Sequence, residues 1–165
     1  MPTRSRKYAY PATLLLAAGY LWSMSGCGQR SQSPPQVTIN GYTWFVDVAA
    51  TAEQRYRGLS GRGNLADDVG MLFIYPEPSI LQFCMRGCLV DLDIAFLDAD
   101  LRVVGLQTMR REPDLAGTRT YSSGLPAQFA LEVRAGTLAR AGVRPGDKAT
   151  FRGALPDPAK AAPHP

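Results

Sequence analysis

Histidine is nearly missing from this 165-residue chain, whose one copy is His164. Its absence elsewhere excludes the Ser-His-Asp and Cys-His arrangements, in which an imidazole serves as the base. It also deprives a copper or zinc site of its usual nitrogen ligand. Lysine is scarce: beyond Lys7 only Lys148 and Lys160 occur. No acidic residue precedes Asp47. The longest mostly apolar stretch, Tyr8 to Trp22, falls short of the ~20 residues that a membrane-spanning helix needs. Cysteine occurs three times, at 27, 84 and 88. That is too few for a disulfide scaffold, and a domain of this length buries a core without one.

What is present begins with a leader pattern. Arg4, Arg6 and Lys7 form a positive region, Tyr8 to Trp22 an apolar one of secretory length, and Met24-Ser25-Gly26-Cys27 follows. This last stretch resembles the bacterial lipobox, in which the cysteine is acylated and the chain is cut just before it. The reading is therefore a signal peptide over 1–26 and lipidation at Cys27. Gly28 stands where an Asp commonly retains a lipoprotein in the inner membrane, so the expected location is the outer membrane, facing the periplasm. Residues 27–36 read as a flexible tether and 153–165, with four prolines, as a disordered tail.

The leader also carries most of the excess charge. The chain has 18 Lys and Arg against 14 Asp and Glu. Without residues 1–26 the counts are 15 and 14. A nearly neutral domain lacks the footprint of a nucleic-acid binder.

Residues 37–152 read as one α+β domain: a mostly antiparallel β-sheet curled into a small barrel, with two short helices. Asn40-Gly41 between β-rich runs predicts a type I′ hairpin. Thr51 with Gln54 predicts a capped helix ending at Gly58 or Gly61. "GMLFIY" and "ILQFCM" read as strands. From Cys88 the residues alternate, and Asp98-Ala99-Asp100 turns the chain into "LRVVGL". "RREPDLAGTRTYSSG" reads as a polar loop, "AQFALEV" as a strand with Phe129, Leu131 and Val133 inward, and "GTLARAG" as the second helix. Pro145-Gly146-Asp147 precedes a closing strand.

Six stretches, in order, resemble the bacterial and archaeal family known as domain of unknown function 192: "TAEQRYRGLSGR", "GMLFIY", "QFCMRGCLVDLDIAFLDAD", "YSS", "FALEVRAG" and "AGVRPGDKATF". The resemblance covers roughly Val37 to Phe151 and implies a compact, mostly antiparallel, barrel-like fold. It implies no established activity. The family pattern usually reads Phe-Trp-Met-Lys-Asn-Thr-Leu-Ile-Pro-Leu-Asp where this chain has Phe83 to Asp93. Here Cys84 replaces Trp, Gly87 replaces Asn, Cys88 replaces Thr and Asp91 replaces Pro. Both cysteines are thus peculiar to this chain's version of the turn.

Three readings of Cys84 and Cys88 stay open. Met85-Arg86-Gly87 suits a three-residue hairpin loop, which would set the two cysteines on facing strands at ~4.5–5.5 Å, within disulfide range. The periplasm is oxidising, so a structural disulfide is expected. A redox pair is the second reading, although these cysteines are four apart and lack a helix N-terminus. The third is Cu(I) held by Cys84, Met85 and Cys88.

Among other residues, one of Arg55 and Arg62 bridges to Asp93, or a guanidinium there receives an anionic or hydroxyl-rich ligand. Phe83, Met85, Arg86 and Tyr121 form a candidate aromatic, Arg-bearing surface near the hairpin tip. Asp91 and Asp93 could flank a substrate, but a charged outer face explains them better. Glu132 reads as a sheet-face charge and Asp147 as a turn cap. No catalytic constellation, metal site or cofactor is expected. The expected function is a non-catalytic binding or accessory module for an envelope polysaccharide or protein partner. The alternative is thiol–disulfide or copper handling through Cys84 and Cys88.

Overall fold

Asn40 and Gly41 both take positive φ, 51° and 80°, as a type I′ turn demands. In the computed structural model, which describes residues 33–156, this turn joins β1 (Gln36–Ile39) to β2 (Tyr42–Ala49) in an antiparallel pair. The leader, Cys27, the tether as far as residue 32 and the tail from residue 157 lie outside the described residues. Thr51 then starts α1 (Ala52–Arg57). Its hydroxyl accepts from the Gln54 N–H at 3.2 Å, and Gln54 Oε1 accepts from the Thr51 N–H at 2.9 Å. The expected capping box is formed, and Gly58 ends the helix at φ 49°.

The helix carries the chain over to β3 (Val69–Ser79), which pairs with β2 in parallel. The remaining elements are β4 (Gln82–Cys84), β5 (Leu92–Leu97), β6 (Val103–Met109), β7 (Thr120–Ser122), β8 (Ala127–Arg134), α2 (Thr137–Arg140) and β9 (Thr150–Arg152). Seven strands form one sheet in the order β6-β5-β8-β3-β2-β1-β9, antiparallel except at β2–β3. The sheet curls into a half-barrel. At one end its two edges meet: the Ala149 N–H donates to Leu101 O and the Val103 N–H to Asp147 O, both at 2.9 Å. The α+β class, the two helices and the barrel-like curl agree with the sequence reading.

The inside of the curl holds one apolar cluster, with Trp44, Leu72, Ile74, Leu97, Leu131 and Val133 packed against Leu138 of α2. The outer face holds a second, built on Phe73, Leu92, Ile94, Phe96 and Ala130. It is covered by a small ribbon of β4 and β7, from which Phe83 and Tyr121 point down, and by Leu59 after α1. All six residues of β5 are buried. The central strands are thus sandwiched on both faces, which is why they read as nearly continuous apolar runs.

Two sequence expectations are corrected here. The segment read as a polar loop contains β7, which pairs with β4 through Phe83↔Tyr121 and Cys84↔Thr120. Consequently β4 does not form a hairpin with the segment after Cys88. Residues 85–88 make a tight turn in which the Cys88 N–H donates to Met85 O at 3.1 Å. Gly87 supplies positive φ, 65°, at its third position.

Candidate functional site

The second layer leaves a cleft of about 210 Å³ where α1, β3, the 85–88 turn and β8 converge. Arg55, Tyr56 and Ser60 come from the helix and its exit, and Phe73 and Tyr75 from β3. Gln82, Phe83, Cys84, Arg86 and Cys88 come from β4 and the turn, and Glu132 from β8. Every lining residue falls within four of the stretches that carry the family resemblance.

Local bonding fixes the walls. Arg55 Nη1 donates to Ala50 O at 2.5 Å and to Ile74 O at 2.9 Å, and its guanidinium lies over the Tyr75 ring, 4.8 Å from the centroid. Its Nε–H is buried without an acceptor. The Ser60 hydroxyl donates to Arg86 O at 2.8 Å, and the Gly61 N–H to Gly87 O at 2.8 Å, so the turn is held against the helix exit. From the other side the Gly87 N–H donates to Leu115 O at 2.9 Å. A Cβ on Gly117 would come within 2.5 Å of the Arg86 nitrogen, so glycine alone permits that approach of the 110–119 loop.

Glu132 was not found by sequence reasoning, which placed it on a solvated sheet face. It sits at the middle of β8, opposite Met71 and Ile94 on the flanking strands, and is 4% exposed. Burial, the sole cause, pushes its carboxyl up to about 8. The group is therefore mostly neutral at pH 7 and offers one O–H donor and one acceptor. A signal was available: Glu132 interrupts an apolar run that suits a strand buried on both faces.

The thiols face the same cleft. Both are free, Cys88 is buried and Cys84 half-buried. The Cys88 thiol is pushed up to about 12, first by burial and then by the Glu132 and Cys84 charges. It is a protonated, weakly nucleophilic group at neutral pH, unlike the lowered thiols of redox sites. Burial likewise pushes the Tyr75 phenol up to about 12, against the Arg55 charge, which lowers it. Among the described residues no three His, Cys, Asp or Glu side chains stand where they could hold a metal.

The expected site residues are only partly gathered. Arg55, Phe83, Arg86, Cys84 and Cys88 line the cleft. Met85 is wholly buried in the outer cluster and cannot reach it. Tyr121 is buried under β7, where its oxygen accepts from the Arg110 N–H at 3.0 Å. Arg62 pairs with Asp47 at 2.5 Å, not with Asp93. Asp93 is a buried tie: one oxygen accepts from the Thr108 hydroxyl at 2.8 Å and the other from the Gly136 N–H at 2.7 Å. Asp91 accepts from the Arg111 N–H and from Arg110 Nη1, both at 2.7 Å, and these bonds lower its pKa. The two aspartates are thus committed to holding loops.

The pattern of the family designated DUF192, described as uncharacterized ACR, matches residues 35–151, and the chain belongs to that family. No curated protein matches it. The structure is similar to that of a protein of unknown function from Novosphingobium aromaticivorans, with 30% identity and a TM-score of 0.64, covering 70% of this chain and 83% of the other. It is also similar to a Sinorhizobium meliloti protein provisionally described as a transcription regulator. There the identity is 30% and the TM-score 0.64, with 76% of this chain and 98% of the other covered.

Proposed function

We propose that this domain is a non-catalytic binding module of the bacterial envelope, held to the outer membrane by lipid on Cys27 and facing the periplasm. In this reading the cleft beneath α1 receives a small unit of an envelope polysaccharide. One observation carries it: the cleft brings together Arg55 and Glu132, two polar groups whose bonding capacity the protein leaves partly unused, beside the packed rings of Phe73 and Phe83. Convergent polar groups in an apolar-walled cleft are the usual make-up of a small-molecule site. At about 210 Å³ the cleft is below the roughly 300–1,000 Å³ of sites that enclose drug-sized ligands. It suits one ring, not an extended chain.

The thiol-based alternative uses the same wall. Against it stand the raised Cys88 pKa, the lack of a third His, Cys, Asp or Glu ligand among the described residues, and the burial of Met85 away from the cleft. Transcription regulation is not carried over from the Sinorhizobium structure. Residues 33–156 hold 13 Lys and Arg and 13 Asp and Glu, a domain without the net positive charge that attracts DNA.

The test is titration of the isotope-labelled full chain in detergent micelles with fragments of envelope polysaccharide. Saturable shifts confined to residues 55–60 and 82–88 are expected, and Arg86→Ala should remove them while the remaining spectrum is kept. A chain that responds to no envelope fragment overturns the binding reading. A Cys84→Ser variant that loses a redox or copper phenotype while folded would put the alternative in its place.

A further inference from the structure

We infer that the ligand enters the cleft by a carboxylate group, received between Arg55 and Glu132 with Arg86 at the rim. This rests on the cleft being the binding site. Five ion pairs occur among the described residues, and they engage Arg57, Arg62, Arg110, Arg134 and Arg140. Arg55 and Arg86 join none of them, yet both stand in one wall. The cleft therefore holds two guanidinium charges with no carboxylate in contact.

The donors match a planar anion. Arg55 cannot swing away, because Nη1 is tied to Ala50 O and Ile74 O, while Nη2, which unlike Nε is not sealed from the cleft, makes no hydrogen bond among the described residues. Glu132 is the acidic side chain in the lining, and as a buried carboxylic acid it adds an O–H. Two donors suit the two oxygens of a carboxylate. A cationic ligand fits worse. It would meet two guanidinium charges that no carboxylate offsets, and the faces of Tyr75 and Tyr56 already carry Arg55 and Arg86 at 4.8 Å and 3.7 Å.

A consequence for pH follows. Ligand binding by the O–H of Glu132 holds its proton more tightly, so affinity is full below the free-state value of about 8 and falls as pH rises above it. The titratable and charged groups that share the cleft lining with Glu132 are Arg55, Tyr56, Arg57, Tyr75, Cys84, Arg86 and Cys88, while Met71 and Ile94 beside it carry no charge. Tyr75 and Cys88, both pushed to about 12, keep their protons over this range. The Cys84 contribution is removed by repeating the titration in Cys84→Ser.

The test uses the labelled full chain in detergent with three probes: glucuronate, glucose and acetate. Glucuronate should shift the amides of 55–60 and 82–88 saturably at pH 6.5, about tenfold more weakly at pH 9, and glucose should not. Glu132→Gln keeps an N–H donor, so it should bind at both pH values with one affinity. Arg55→Lys should lose at least about tenfold in affinity, the worth of one charge-assisted hydrogen bond. Acetate binding as tightly as glucuronate would support the carboxylate and assign it to a free small acid. Glucose binding as tightly as glucuronate would overturn the carboxylate and leave the binding cleft standing. No response to either acid, or affinity that rises with pH, would overturn the inference whatever neutral fragments do.

Discussion

The Arg86 guanidinium sits over the ring of Tyr56, 3.7 Å from its centroid, and its Nη2 donates to the Tyr56 carbonyl oxygen at 2.7 Å. This double contact ties the 85–88 turn to the last turn of α1. The helix buries none of its own residues fully. A six-residue helix has little stability by itself, so such ties determine where it lies and hence the width of the cleft.

Arg86→Ala should lower stability by about 1–2 kcal/mol, less than the roughly 2–4 kcal/mol that a cation–π contact and a hydrogen bond from a charged donor sum to, because both are exposed to solvent. The urea midpoint would show it. Faster hydrogen exchange at the Arg55 and Gly58 amides should accompany the loss. Unchanged exchange there would mean that the helix is held by other contacts.

Asp93→Ala should cost more, about 2–4 kcal/mol, because it strands the Gly136 N–H and the Thr108 hydroxyl beside a 5%-exposed side chain. The cleft lies elsewhere, so the titration response of residues 55–60 and 82–88 should persist in the folded variant. Loss of that response with the fold intact would give Asp93 a part in binding.

Glu132 carries a stability cost that grows with pH. Its folded pKa of about 8 lies above the ordinary 4.5. Stability is therefore full below pH 4.5 and declines as the unfolded chain ionises first. The decline is of order 1.4 kcal/mol per pH unit until the folded group ionises too. Glu132→Gln should flatten unfolding free energy across pH 5–8 and raise it at pH 8. An equal slope in both proteins would show that Glu132 is not held as the acid.

Iodoacetamide should modify Cys84 before Cys88, because Cys88 is 6% exposed and its thiol is pushed up to about 12. Intact mass of the protein from native membranes bears on the disulfide that the proposed periplasmic location favours. Two thiols alkylated only after reduction would show that the pair closes in the cell.

If Cys27 carries lipid, Cys27→Ser should move the chain from the membrane fraction to the soluble one and lower its mass by the acyl groups. A chain that stays membrane-bound at unchanged mass would remove the lipid anchor from the proposal.

Much of the architecture was legible locally. Asn40-Gly41, the Thr51–Gln54 box, the Asp98 turn and both helices are signalled by residues within a few positions of one another, where backbone preference and short side-chain bonds decide the outcome. The 85–88 turn was legible as a turn, through Gly87, but not in what it joins.

Alternation along β8 correctly set Phe129, Leu131 and Val133 on one face, and thereby Ala130 and Glu132 on the other. Whether that other face meets water depends on distant chain. Only the tertiary structure brings β4, β7 and α1 over it, turning an apparent surface carboxylate into a buried acid beside Arg55 and Cys88. The parallel pairing of β2 with β3 and the β4–β7 ribbon were decided in the same way, by contacts far apart along the chain. A two-residue period records which side chains share a face; burial, and with it the protonation state of Glu132, is set by what packs on top.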